Sequence, residues 1–82
     1  MFTVYILRGG SGRHYIGMTS NMEIRFRQHC EGHTHTTKRL GGDLVIVARR
    51  AYETRFEAEV IERKLKSWKN PAKAILYLNS TE

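Results

Sequence analysis

Residues Thr3–Gly17 read TVYILRGGSGRHYIG. Thr3 to Leu7 has the length and residue types of a β-strand, with Val4 and Ile6 alternating against Thr3, Tyr5 and Leu7. The following RGGSGR, Arg8 to Arg13, is a turn in which Gly9, Gly10 and Gly12 take positive φ at little cost. His14 to Met18 supplies a second strand, and so short a connection implies antiparallel pairing. The hairpin carries one tyrosine on each strand, Tyr5 and Tyr15, the latter directly before Ile16 and Gly17. Its glycines do not form a phosphate-binding loop, because no helix follows them and no Lys-Ser/Thr pair is present.

Outward from the hairpin, Ser20 and Glu23 have the spacing of a capping box and predict a helix from near Ser20, ended by Gly32. Met22, Phe26 and Cys30 form its apolar stripe, with Arg25 and His29 beside it at the same four-residue spacing. Residues 33–42, HTHTTKRLGG, read as a polar loop, and His33 and His35 lack a third ligand for a metal site. Leu44 to Ala48 is β-branched and apolar; it is expected to be the central, most buried strand, continuing toward Tyr52. Thr54 and Glu57 make a second capping box, followed by the stripe Ala58, Ile61, Leu65 and Trp68. Glu62 lies at the stripe's edge. The i,i+4 pairs Glu59–Arg63 and Glu62–Lys66 are each expected to contribute ~0.3–0.5 kcal/mol. Asn70 as cap and Pro71 at the first helical position begin a third helix over 72–78, although its AILYL run also fits a strand. The order β-β-α-β-α-α predicts an α+β fold, a small three-stranded antiparallel sheet flanked by helices, with one domain across residues 1–82.

The formal net charge of +6 in 82 residues favours polyanionic partners, since basic groups displace condensed counterions. A single cysteine, Cys30, excludes an internal disulfide and any multi-cysteine zinc site. No apolar run is long enough to span a bilayer and no signal peptide is present, so a cytoplasmic protein without membrane contact is expected. Ser-His-Asp order, a Walker-type loop and an HExxH helix are all absent from the chain.

Five polar positions remain: Tyr5, Tyr15, Arg25, His29 and Glu62. Each alone has an ordinary structural explanation. Together they contain what phosphodiester cleavage needs. A carboxylate holds a divalent cation, a tyrosine or a water handles a proton, and an arginine neutralises charge on the phosphoryl oxygens.

The same positions resemble the GIY-YIG endonuclease superfamily. The chain is similar to its small stand-alone members, which resemble the N-terminal nuclease domain of the excision-repair nuclease subunit. Val4-Tyr5 stands for the end of the first signature and Tyr15-Ile16-Gly17 matches the second. Arg25 and His29 match the helix arginine and the basic position one turn later, and Ala58, Glu62 and Lys66 match the Ala-Glu-Lys helix pattern. Thr3 replaces the first signature's glycine, Gly41 stands where a proline is common, and His35 where an aromatic is common.

The resemblance implies a metal-dependent endonuclease acting on DNA, in the manner of DNA-repair nucleases, directed by substrate structure rather than base sequence. A protein that delivers the substrate is a compatible partner. It implies that Glu62 binds one Mg²⁺ or Mn²⁺ ion and that Tyr5 is the general base or positions the water. Tyr15 supports Tyr5, Arg25 contacts the scissile phosphate, and His29 assists with the proton or the phosphate. DNA contacts are expected from Gly17, Arg25, Arg27, Lys38, Arg39 and Lys66. The alternative is a non-catalytic nucleic-acid-binding module on the same fold.

Overall fold

The computed structural model describes residues 1–31 and 43–80. Strands β1 (Phe2–Arg8), β2 (His14–Thr19) and β3 (Val45–Tyr52) form one antiparallel sheet in the order β2-β1-β3. Helix α1 (Met22–Cys30) follows the hairpin, and α2 (Arg55–Trp68) and α3 (Pro71–Asn79) follow β3. The expected α+β architecture is present, as is the hairpin. Its turn closes with Gly9 N–H donating to the Arg13 carbonyl and Gly12 N–H to the Gly9 carbonyl, both at 3.0 Å. Gly12 takes φ 87°, the conformation that its missing side chain permits.

The central strand is β1, not β3. It pairs with both neighbours, so Val4, Tyr5, Ile6 and Leu7 are all at most 1% exposed, whereas β3 is an edge strand whose Val45 is 47% exposed. The β-branched run in β3 matches a strand but carries no information on which strand gains two partners. Alternation along β1 sorts its side chains to two layers. Val4 and Ile6 pack with Ala48 against Ala58 and Leu65 of α2 and Ala74 and Leu78 of α3. Tyr5 and Leu7 turn to the other face and pack with Met22, Phe26 and Tyr15. Each large apolar side chain buried this way stabilises the fold by ~1.5–3 kcal/mol, and a one-residue slip of β1 would exchange the two sets. The register with β3 shifts between Ile6 and Leu7, which pair with Ala48 and Ile46 and skip Val47.

Helix α1 is capped by Asn21 rather than Ser20. The Asn21 side chain accepts from Ile24 N–H at 3.1 Å, and Thr19 Oγ1 accepts from Asn21 N–H at 3.1 Å, which fixes the turn one residue later than the Ser20–Glu23 spacing predicts. Its buried stripe also differs. Seven residues make nearly two turns, so His29 lies under Met22 and is buried, while Cys30 points to solvent. The helix ends at Cys30 with Glu31 as cap. The expected stop at Gly32, the 33–42 loop and the paired His33 and His35 lie outside the described residues.

The capping box at Thr54 and Glu57 forms as expected, and Asn70 caps α3 with Pro71 in its first turn, so the AILYL run is helical. Of the two expected ion pairs, Glu62–Lys66 is present at 3.2 Å. Glu59 instead reaches back one turn to Arg55 at 3.2 Å. At the α2–α3 corner, Lys69 takes the left-handed conformation, Trp68 meets Tyr77 edge-on, and Lys73 lies 4.5 Å from the Trp68 ring centre. Among the described residues, no helix is long and apolar enough to cross a membrane.

Candidate active site

The hairpin register places Tyr5 directly across from Gly17. A β-carbon on Gly17 would stand 2.7 Å from the Tyr5 hydroxyl, 2.9 Å from its Cζ and 2.9 Å from Tyr15 Cε2. Gly17 is thus the space that the Tyr5 ring occupies as it leans across β2. Expected from the sequence as a DNA contact, Gly17 here makes room for two tyrosines. The pairing of tyrosine and glycine across the hairpin was the available signal.

Helix α1 lies over this face of the sheet and drops His29 between the tyrosines. The Tyr5 Oη–His29 Nε2 distance is 3.0 Å, a buried hydrogen bond between residues 24 positions apart. Ring centres are 5.3 Å apart for Tyr15 and His29, 5.9 Å for Tyr5 and His29, and 6.1 Å for the two tyrosines, all at tilted or edge-on angles. Such angles are favourable for aromatic rings. The sequence therefore identified three residues that meet, from three elements.

Electrostatics keep this cluster neutral. Burial raises the Tyr5 phenol far above its ordinary value of 10.0, with Tyr15 and Glu62 adding to the rise and Arg25 partly opposing it. Burial, then the nearby Arg25 charge, hold the His29 imidazole below its ordinary 6.5. Near neutral pH the pair is thus a protonated phenol against a neutral imidazole, and the imidazole nitrogen without a proton is able to accept from the phenol.

Arg25 and Glu62 complete the group at longer range. Arg25, one turn before His29 on α1, is half-buried and acts on both Tyr5 and His29 through its charge. Glu62 comes from α2, is 19% exposed at its side chain, and opposes ionisation of Tyr5. Its Oε2 is held at 3.2 Å by the Lys66 ammonium. No group of three or more His, Cys, Asp or Glu residues able to hold a metal occurs among the described residues. The available donor is thus one half-buried carboxylate already paired with a cation. That suits Mg²⁺ or Mn²⁺, since Mg²⁺ keeps several waters and uses few protein carboxylates beside substrate phosphates.

The expected DNA contacts divide. Gly17 and Arg25 belong to the cluster, and Lys66 borders it through Glu62. Arg27 is exposed in the last turn of α1, ~200° around the helix from Arg25, and is not brought to the cluster. Lys38 and Arg39 lie outside the described residues.

The sequence model of the GIY-YIG catalytic domain matches residues 1–75. Among solved structures, the chain is similar to the solution NMR structure of a UPF0213 protein from Bacillus halodurans. The identity is 29%, the match covers 94% of this chain and 83% of that one, and the TM-score is 0.58. No curated protein matches the chain.

Proposed function

The chain belongs to the GIY-YIG catalytic domain family, and from that premise we propose that it is a divalent-metal-dependent endonuclease that hydrolyses DNA phosphodiester bonds. The observation that carries this reading is the buried 3.0 Å contact between Tyr5 Oη and His29 Nε2, packed against Tyr15. The contact joins a proton donor to a proton acceptor across a strand and a helix, the pair that a proton relay needs.

Water attacks phosphorus, one P–O bond breaks, and the products are a phosphomonoester end and a hydroxyl end. The attacking water must lose a proton. A phenol with an ordinary pKa is only about one part in a thousand ionised at pH 7, and Tyr5 is less ionised still. Tyr5 therefore serves as a base only by passing its own proton to His29 Nε2 as it takes one from water. Burial keeps the His29 imidazole neutral in the resting site, so that Nε2 is the acceptor of that proton. Tyr15 holds both rings in place. The Arg25 guanidinium balances negative charge on the non-bridging phosphoryl oxygens. Glu62 would hold the divalent ion, which would supply charge stabilisation at the phosphate.

The substrate class follows from charge. A net charge of +6 attracts the nucleic-acid backbone without reading bases. Substrate structure, or delivery by another protein, then directs cleavage. The test is incubation of the pure protein with duplex, nicked, branched and single-stranded DNA in Mg²⁺ or Mn²⁺. Cleavage that disappears in Glu62→Gln supports the reading. Salt-dependent binding with no cleavage by the wild type would assign the fold to nucleic-acid binding alone.

A further inference from the structure

A hollow of about 260 Å³ lies beside the cluster, lined by Phe2, Met18, Thr19, Ser20, Arg25 and Arg55. Two arginines therefore line one small space, one from α1 and one from the first turn of α2. Two arginines bordering one hollow favour an anion there, and a phosphate suits the planar donors of a guanidinium. Arg55 is exposed, and its Nε is engaged by Glu59 Oε2 at 3.2 Å. That pair engages Nε alone and leaves the terminal nitrogens for another acceptor. Ser20 adds an exposed hydroxyl at the rim. Both helices begin there, so the positive ends of their first turns add to the same field.

The position is also informative. Arg25 borders the hollow and, through its charge, Tyr5 and His29. Thr19 lies two residues beyond Gly17 on β2. The hollow is thus the next space along the edge of β2 from the catalytic cluster. A strand whose scissile phosphate met Arg25 would carry a neighbouring phosphate toward Arg55.

We propose that the Arg25–Arg55 hollow is a backbone-phosphate subsite of the DNA strand being cut. Arg55 is a substrate-positioning residue that holds a phosphate flanking the scissile one. The proposal rests on the nuclease reading above for its substrate and assigns a residue that neither the motif nor the family match supplies.

The experiment measures binding apart from cleavage. Affinity for a fluorescent duplex is measured in EDTA across a salt series, in wild type, Arg55→Ala, Arg55→Lys, Glu59→Gln and Arg13→Ala. Arg13→Ala removes one exposed charge from the hairpin turn and controls for net charge. Glu59→Gln breaks the same ion pair but keeps the guanidinium, and thus controls for any effect on α2. Expected for Arg55→Ala is a roughly tenfold loss of affinity at low salt, with a log–log salt slope shallower by ~0.9, the loss of one phosphate contact. Arg55→Lys keeps the slope and loses part of the affinity, and the two controls stay near wild type. In cleavage assays, Arg55→Ala raises KM and leaves kcat within about twofold. Circular dichroism melts verify that each variant folds.

If Arg55→Ala matches Arg13→Ala in slope and KM, or if Glu59→Gln reproduces its loss, the subsite is overturned while cleavage by the wild type leaves the nuclease reading intact. If the Arg55-dependent slope appears but the wild type never cuts, the subsite stands and the nuclease reading falls. Absence of DNA binding by the wild type at low salt overturns both.

Discussion

The Tyr5 hydroxyl and His29 Nε2 lie 3.0 Å apart inside a layer from which both side chains are almost wholly removed from solvent, each 1% exposed. The contact satisfies both buried polar groups, the phenol of β1 and the imidazole of α1. Their shared burial moves the two groups in opposite directions, the phenol up and the imidazole down, so that both are neutral over the same range of pH. One proton is thereby left to move between them.

Cleavage should therefore depend on pH with its acid limb set by His29. Activity requires the neutral imidazole and rises with pH through a midpoint below 6.5. Tyr5→Phe should lower kcat by about 10²–10⁴-fold, the usual range for a lost acid–base group. Stability follows the same groups. Because the folded His29 pKa is depressed, the unfolded chain binds more protons below 6.5, so stability is complete above that pH and declines as pH falls toward the folded value. Tyr5 acts with the opposite sign. Its folded pKa is raised, so its contribution is present below pH 10.0 and is lost as pH rises beyond it. Thermal melts and pH–rate profiles of wild type, Tyr5→Phe and His29→Gln test both signs.

Gly17→Ala should damage stability and activity together. The added methyl meets the Tyr5 hydroxyl at 2.7 Å and Tyr15 Cε2 at 2.9 Å, so the rings must shift. Overpacking of this kind costs about 1–3 kcal/mol, and each kcal/mol lowers Tm by roughly 4–8 °C in a domain of this size. The same shift moves the phenol off His29. Combining Gly17→Ala with Tyr5→Phe removes the closest clash, so Tm should partly recover while cleavage stays absent. Full activity in Gly17→Ala would show that the glycine does not make room for a ring that cleavage requires.

Much of this was legible in the sequence because local chemistry carried it. Thr54 with Glu57, and Asn70 with Pro71, specify their helix starts through backbone hydrogen bonds that need no tertiary context. The hairpin follows from its glycines and the alternation of β1. Strand order was not legible, since composition shows that Val45, Ile46 and Val47 suit a strand but not that Val4–Leu7 gains partners on both sides. The α1 stripe was misplaced by one position because cysteine is apolar and histidine polar. Contact with Tyr5 and Tyr15 nevertheless compensates histidine for burial and leaves Cys30 outside. Of the site, Tyr5, Tyr15 and His29 were legible as a set, whereas the space-making part of Gly17 needed the cross-strand register.

Lys66 and a divalent ion should compete for Glu62. The ammonium now occupies Glu62 Oε2 at 3.2 Å. Glu62→Gln is expected to reduce cleavage by at least about 10²-fold, as removal of a main source of charge stabilisation does. Its Tm should change little, because an i,i+4 pair of this type is worth only ~0.3–0.5 kcal/mol. Lys66→Gln should bind Mn²⁺ more tightly than wild type while binding DNA more weakly. Titration of Mn²⁺ followed by electron paramagnetic resonance reads the first effect without any cleavage. Equal Mn²⁺ affinity in wild type and Glu62→Gln would remove Glu62 from the ion's ligands.

Tyr52→Phe should raise stability without affecting cleavage. The Tyr52 hydroxyl is buried and has no hydrogen-bond partner among the described residues. Burial is also the main reason its phenol is raised above the ordinary 10.0, ahead of the opposing Arg50 charge. Its ring packs on the α2–α3 side of the sheet, the face opposite Tyr5 and His29. An unsatisfied buried polar group costs about 1–3 kcal/mol, so replacing the hydroxyl with hydrogen while keeping the ring should be neutral or gain up to about that much. Arg50 retains its position near the ring, 5.8 Å from its centre, and keeps a cation–aromatic contact with phenylalanine. Differential scanning calorimetry of wild type and Tyr52→Phe, with cleavage rates measured in parallel, separates the outcomes. A fall in Tm of several degrees would show that the hydroxyl makes a stabilising bond, and a fall in kcat alone would couple this face of the sheet to the Tyr5–His29 cluster.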